Sequence, residues 1–127
     1  MKKLLIILGV FLFALKADAT MSFSDAYEAN NTVPMAVLVY AEWSDNAADY
    51  LATFRALERE FGDTYNFVEV DIATEYAKDY MERNPILVKP PYIMLYRGKC
   101  KFARVIERGC ANNNTCISPK MKTFIRQ

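Results

Sequence analysis

Histidine is absent from all 127 residues. That removes the commonest general base and the commonest metal ligand, and it excludes hydrolase mechanisms that depend on imidazole. Cysteine is scarce and late: Cys100, Cys110 and Cys116 all lie in the last third. No stripe of basic residues with interleaved aromatics is present, and Arg55, Glu58, Arg59 and Glu60 alternate along one solvated helix face. No pair of carboxylates stands out for acid–base work. Repeats, low-complexity tracts and long linkers are also missing, so one domain is expected.

What is present begins with a basic pair, Lys2 and Lys3, followed by an unbroken apolar run from Leu4 to Leu15. Ala17-Asp18-Ala19 then supplies the small-x-small pattern that a signal peptidase reads. Twelve apolar residues would span about 18 Å as a helix, short of a ~30 Å hydrocarbon core. Residues 1–19 are therefore expected to be a signal peptide and 20–127 the domain, with export to the periplasm or outside the cell and no stable membrane span after cleavage. An uncleaved anchor is the alternative. The remaining 108 residues carry 13 basic and 14 acidic side chains. A near-neutral domain gives no electrostatic case for nucleic acid or for an anionic membrane as partner.

Ser22 to Ala29 predicts a short capped helix, and Met35 to Tyr40 a strand. The strand shows no alternation, which suggests burial on both faces. Tyr50, Leu51, Phe54, Leu57 and Phe61 recur at helical spacing, placing a helix over about 46–61 with Gly62 as its stop. A strand follows at 65–71, then a helix from Thr74 to Arg83 carrying Tyr76, Ala77, Tyr80 and Met81 inward. Tyr92 to Tyr96 and Lys101 to Ile106 read as a hairpin, joined by a short glycine-bearing link. Cys110 to Pro119 is expected as loop, and Lys120 to Gln127 as a last short helix. The class is α/β, with a central mixed sheet of about four strands flanked by helices.

Two segments resemble the thioredoxin family over roughly Phe23 to Ile125. The first is Val37 to Ala47, whose Ala41-Glu42-Trp43 is similar to the family's W-A-E-W-C-G-P-C. The second is Lys89-Pro90-Pro91-Tyr92-Ile93-Met94-Leu95-Tyr96, similar to its cis-proline segment. The resemblance implies the thioredoxin fold with Pro91 as the cis-proline. It also implies that Ser44 and Ala47 stand where the family places its two cysteines. The family's buried acid aligns with Leu38, and the lysine beside that acid with Phe67. Family chemistry needs a thiolate stabilised at a helix N-terminus. A hydroxyl and a methyl cannot replace that couple.

The same resemblance marks Trp43, Ser44, Asp45, Asn46, Pro90 and Pro91 as a degenerate site surface for a peptide or protein partner. Pro90 occupies the place whose backbone pairs with an extended peptide in the family, and it offers only a carbonyl. The alternative for Ser44 or Asp45 is plain helix capping, and for Trp43 plain packing at the strand end. The tyrosines at 76, 80, 92 and 96 are expected in the core.

Cys100 and Cys110 flank one predicted strand, about 30 Å apart if extended, beyond the ~7 Å Cα limit for bonding. Cys110 and Cys116 bracket a loop able to fold back, so they are expected to form a disulfide and leave Cys100 as a free thiol. A displaced redox pair is the functional alternative, though a C-x5-C loop would lack the helix dipole. No metal site and no cofactor are predicted. Asn30-Asn31-Thr32 and Asn113-Asn114-Thr115 match glycosylation acceptors, which count only on a eukaryotic secretory route. The expectation is an exported binding or accessory module without dithiol activity; the alternative is a divergent oxidoreductase using Cys100 or the Cys110/Cys116 pair.

Overall fold

Met35 to Val39 supply an uninterrupted apolar run, and all five side chains are wholly buried. They form β1 (Met35–Tyr40), an inner strand of a four-stranded sheet ordered β2-β1-β3-β4. A computed structural model describes residues 21–86 and 88–126; the expected signal peptide lies outside the described residues. β2 (Asn66–Asp71) runs parallel to β1 with Met35 opposite Asn66. β3 (Tyr92–Arg97) is antiparallel to β1 with Met35 opposite Tyr96. β4 (Phe102–Ile106) closes the hairpin with Ile106 opposite Ile93. The parallel pair needs a crossover helix, and the antiparallel pair only a tight turn.

α1 (Phe23–Glu28) precedes β1, and its first turn is capped by the Ser22 hydroxyl, which accepts from the Asp25 N–H at 3.2 Å. α2 (Ala47–Phe61) is the crossover between β1 and β2. Its buried Tyr50, Phe54, Leu57 and Phe61 meet Leu38, Phe67, Ile93 and Leu95 on one sheet face. The other face buries Val37, Val39, Val68 and Val70 against Phe23 of α1 and Tyr80 of α3 (Ala77–Arg83). A mixed sheet with helices on both faces is therefore realised as expected. Gly62 ends α2 in the right-handed region, where a Cβ would stand 2.6 Å from the Glu58 carbonyl oxygen. What the position requires of glycine is thus its lack of a side chain rather than left-handed freedom.

Two expectations need correction. α3 starts at Ala77 rather than Thr74, which leaves Tyr76 at its N-cap position, 93% exposed, and Met81 on the solvent side. Only Ala77 and Tyr80 of the four residues expected inward are buried. The stretch expected as loop is helical: α4 (Arg108–Ala111) leads into α5 (Asn114–Phe124), with Pro119 inside. The Asn113 side chain accepts from the Thr115 N–H at 3.0 Å, starting α5 early. Ile117, Met121 and Phe124 then fall on one buried face. Proline removes a single N–H from that ladder, and three buried apolar side chains outweigh it.

Among the described residues, no helix is long and apolar enough to cross a membrane, and no cluster of potential metal ligands occurs.

Candidate functional site

β1 ends at Tyr40, and the chain turns through Ala41 to Asn46 before α2 begins. Sequence reasoning offers Ser44 or Asp45 as the cap of that helix, and neither serves. The Ser44 hydroxyl donates to the Ala41 carbonyl at 2.7 Å, inside its own turn. Asn46 takes the N-cap position at φ 62° with no side-chain cap bond. Asparagine is among the few residues that tolerate this left-handed conformation. The first-turn N–H groups of Asp49 and Tyr50 reach the Asn46 carbonyl instead.

Ala47 sits buried at the first turn, where the family's second thiol would be. Beneath the entrance, Leu38 and Phe67 are buried in one hydrophobic cluster. Those two positions offer hydrocarbon where the family's acid and lysine would stand, which matches the loss of thiols at the surface.

On the opposite side of the turn, the Pro90–Pro91 peptide is cis, at the position the resemblance implies. Between them lies a groove of about 350 Å3 lined by Ala41, Trp43, Ser44, Asp45, Ile72, Lys89, Pro90 and Arg108. Trp43 is 76% exposed, so it does not pack at the strand end. The groove brings together Trp43, Ser44, Asp45 and Pro90 from the six expected site residues. Asn46 points to solvent and Pro91 is buried behind, so neither lines it. Sequence reasoning missed Ile72, Lys89 and Arg108 as wall residues. Lys89 had a signal in its place beside the two prolines; Arg108 had none, because only the fold of β4 and α4 returns it to this end of the sheet.

Arg108 is fixed through its backbone, whose carbonyl accepts from the Tyr50 hydroxyl at 3.0 Å. Two residues later, Cys110 is bonded to Cys116 with their Cα atoms 5.4 Å apart. That pairing is the expected one. Its surroundings differ from expectation, because Cys116 lies in the first turn of α5. The disulfide therefore ties α4 to a helix entrance rather than closing a plain loop.

Cys100 is the free cysteine. It lies on the other sheet face, in a groove of about 410 Å3 shared with Tyr80, Met94, Tyr96 and Val105. Burial pushes its thiol above the ordinary value, against weaker opposing pulls from Arg83 and Lys99. A thiol held protonated is a poor nucleophile. Among the described residues, no cysteine lines the Trp43 groove.

No protein-family model matches the chain, and no curated relative does. Solved structures do. The germline-specific thioredoxin Deadhead of Drosophila melanogaster superposes with a TM-score of 0.63 at 15% identity, covering 81% of this chain and 98% of that one. The oxidised thioredoxin of Plasmodium falciparum gives 0.62 at 13% identity, covering 81% and 92%. Thioredoxin O2 of Arabidopsis thaliana, also oxidised, gives 0.61 at 14% identity, covering 80% and 84%. Identities this low carry the architecture and leave the chemistry to the site itself.

Proposed function

Because the chain has the thioredoxin fold but no thiol at its helix entrance, we propose that it is a binding or accessory module that holds a peptide or protein partner in the Trp43 groove without exchanging disulfides there. The observation that carries this reading is Trp43 itself, the sole tryptophan, standing 76% exposed over a formed groove. Exposed tryptophan at a concave surface is characteristic of binding hot spots. The apolar interior below, Leu38 and Phe67, supports the absence of dithiol chemistry at this end. Export of residues 20–127 is part of the proposal, supported by the leader-like sequence of 1–19 and by a disulfide that suits an oxidising compartment.

Trp43→Ala separates a binding role from a structural one. An exposed side chain leaves fold stability within about 0.5 kcal/mol, while capture of a partner by crosslinking falls at least about fivefold. A stability loss of several kcal/mol with capture intact would reverse the assignment.

A second reading, a displaced oxidoreductase, is favoured by one observation: Cys116 occupies the first turn of α5, where a thiolate gains from the helix terminus. Insulin reduction by the 20–127 protein, with each cysteine changed to serine in turn, decides between them. No cysteine-dependent turnover is expected. Turnover abolished by Cys110→Ser or Cys116→Ser would establish the second reading in place of the first.

A further inference from the structure

The charges in the Trp43 groove give its occupant a chemistry. Lys89 and Arg108 both line it, and neither has an ion-pair partner among the described residues. Four cations elsewhere have partners: Arg55 grips Glu69 through two bonds of 2.9 and 3.0 Å, Lys99 reaches Glu28, and Arg83 and Arg97 stack on aromatic rings. What distinguishes Lys89 and Arg108 is that they share one groove with Trp43. The groove's apolar surface is Trp43, Ile72 and Pro90, and Asp45 is its one acidic wall residue. Glu42 stands in the same turn without lining the cavity. Two unpaired cations against one carboxylate leave an excess of positive charge beside an aromatic platform.

Pro90 sharpens the point. It has no N–H, so an extended peptide laid beside it finds only the carbonyl half of a backbone bridge. Recognition then shifts from the main chain to side chains, and the side chains present are cationic and apolar. We infer that the groove takes an extended peptide segment carrying aspartate or glutamate next to a large apolar residue. The carboxylates face Lys89 and Arg108, and the apolar residue rests on Trp43 and Ile72. This inference rests on the peptide-binding reading above and adds the partner's charge to it.

Trp43 provides the probe, since its emission reports the groove alone. Three short peptides with blocked termini are titrated into the 20–127 protein. They are identical except that the residues flanking a central leucine are aspartate, asparagine or lysine. The aspartate peptide is expected to bind about tenfold more tightly than the asparagine one, two half-exposed charge pairs being worth that much. The advantage should shrink in high salt. Lys89→Glu combined with Arg108→Glu should transfer the preference to the lysine peptide. Both side chains reach solvent, and Arg108 is anchored through its carbonyl, so the double variant keeps its fold, as circular dichroism would verify. Equal binding of the aspartate and asparagine peptides would overturn the charge inference and leave the peptide-binding reading standing. If none of the peptides alters Trp43 emission or releases heat at millimolar concentration, both fall together.

Discussion

Three consecutive residues of the β3–β4 turn, Gly98, Lys99 and Cys100, hold positive φ angles of 64°, 56° and 65°. For the two that are not glycine this conformation costs on the order of 1 kcal/mol each. Asn30 offsets it. Its backbone carbonyl accepts from the Gly98 and Lys99 N–H groups at 3.0 and 3.4 Å, and its side-chain oxygen accepts from the Cys100 N–H at 2.8 Å. Its amide nitrogen donates to the Val33 and Tyr96 carbonyls, both at 3.1 Å. It is the one buried polar residue among those described. Asn30→Ala should cost about 3 kcal/mol, the loss of three side-chain bonds with the Cys100 N–H left orphaned, as a shift in the urea midpoint will measure. A cost below about 1 kcal/mol would show that the turn holds itself. In the sequence Asn30 stands out only within a sugar-acceptor triplet, because its partners on the hairpin lie 66 to 70 positions away.

At the scale of elements, what was legible followed the strength of local pattern. β1 is an unbroken apolar run and α2 a long helix with one apolar face, and the structure reproduces both nearly to the residue. The hairpin announced itself through Gly98 between two apolar runs. α3 starts late and leaves Tyr76 outside because Thr74 hydrogen-bonds back to the Asp71 carbonyl at 2.8 Å, making a turn in place of the helix's expected first residues. α5 was hidden by Pro119, a residue that reads as a breaker until tertiary contacts are known. In the site, the turn from Trp43 to Asp45 and Pro90 was visible through resemblance, while Arg108 was invisible because nothing local marks it. The Cys110–Cys116 link joins α4 to α5 through a closed ring of about six residues, for which the chain-entropy model gives about 2 kcal/mol. Reduction, or Cys110→Ser with Cys116→Ser, should lower stability by about that amount without unfolding the sheet. A thiol count on the unreduced, denatured chain should find one group per molecule; three would reject the link.

For the whole molecule, buried phenols set the response to alkali. Burial raises Tyr65, Tyr80 and Tyr96 well above the ordinary value of 10.0. Their hydroxyls are engaged: Tyr65 donates to the Met121 carbonyl at 2.7 Å, and Tyr80 and Tyr96 share a bond of 2.9 Å. Above pH 10 the unfolded chain releases these protons while the folded one retains them. The unfolded state then binds fewer protons, and stability falls as pH rises. Each such tyrosine contributes at most about 1.4 kcal/mol per pH unit. With no histidine in the chain, no imidazole adds a transition in the neutral range. Urea midpoints should therefore hold level in the neutral range, ease down from about pH 8 as the buried Cys100 thiol keeps a proton that the unfolded chain gives up, and drop steeply beyond about 10. A level curve through about pH 11.5 would mean that these rings ionise freely in the fold.

The burial of Asn30 also governs how this protein can be manufactured. Asn30-Asn31-Thr32 is a sugar-acceptor triplet, yet the amide nitrogen a glycan would occupy is already committed to two carbonyls inside the domain. An oligosaccharide attached there during passage through yeast or mammalian cells would have to displace the hairpin's anchor, so secretion from such hosts should yield misassembled material unless Thr32 is replaced, whereas bacterial production sidesteps the conflict.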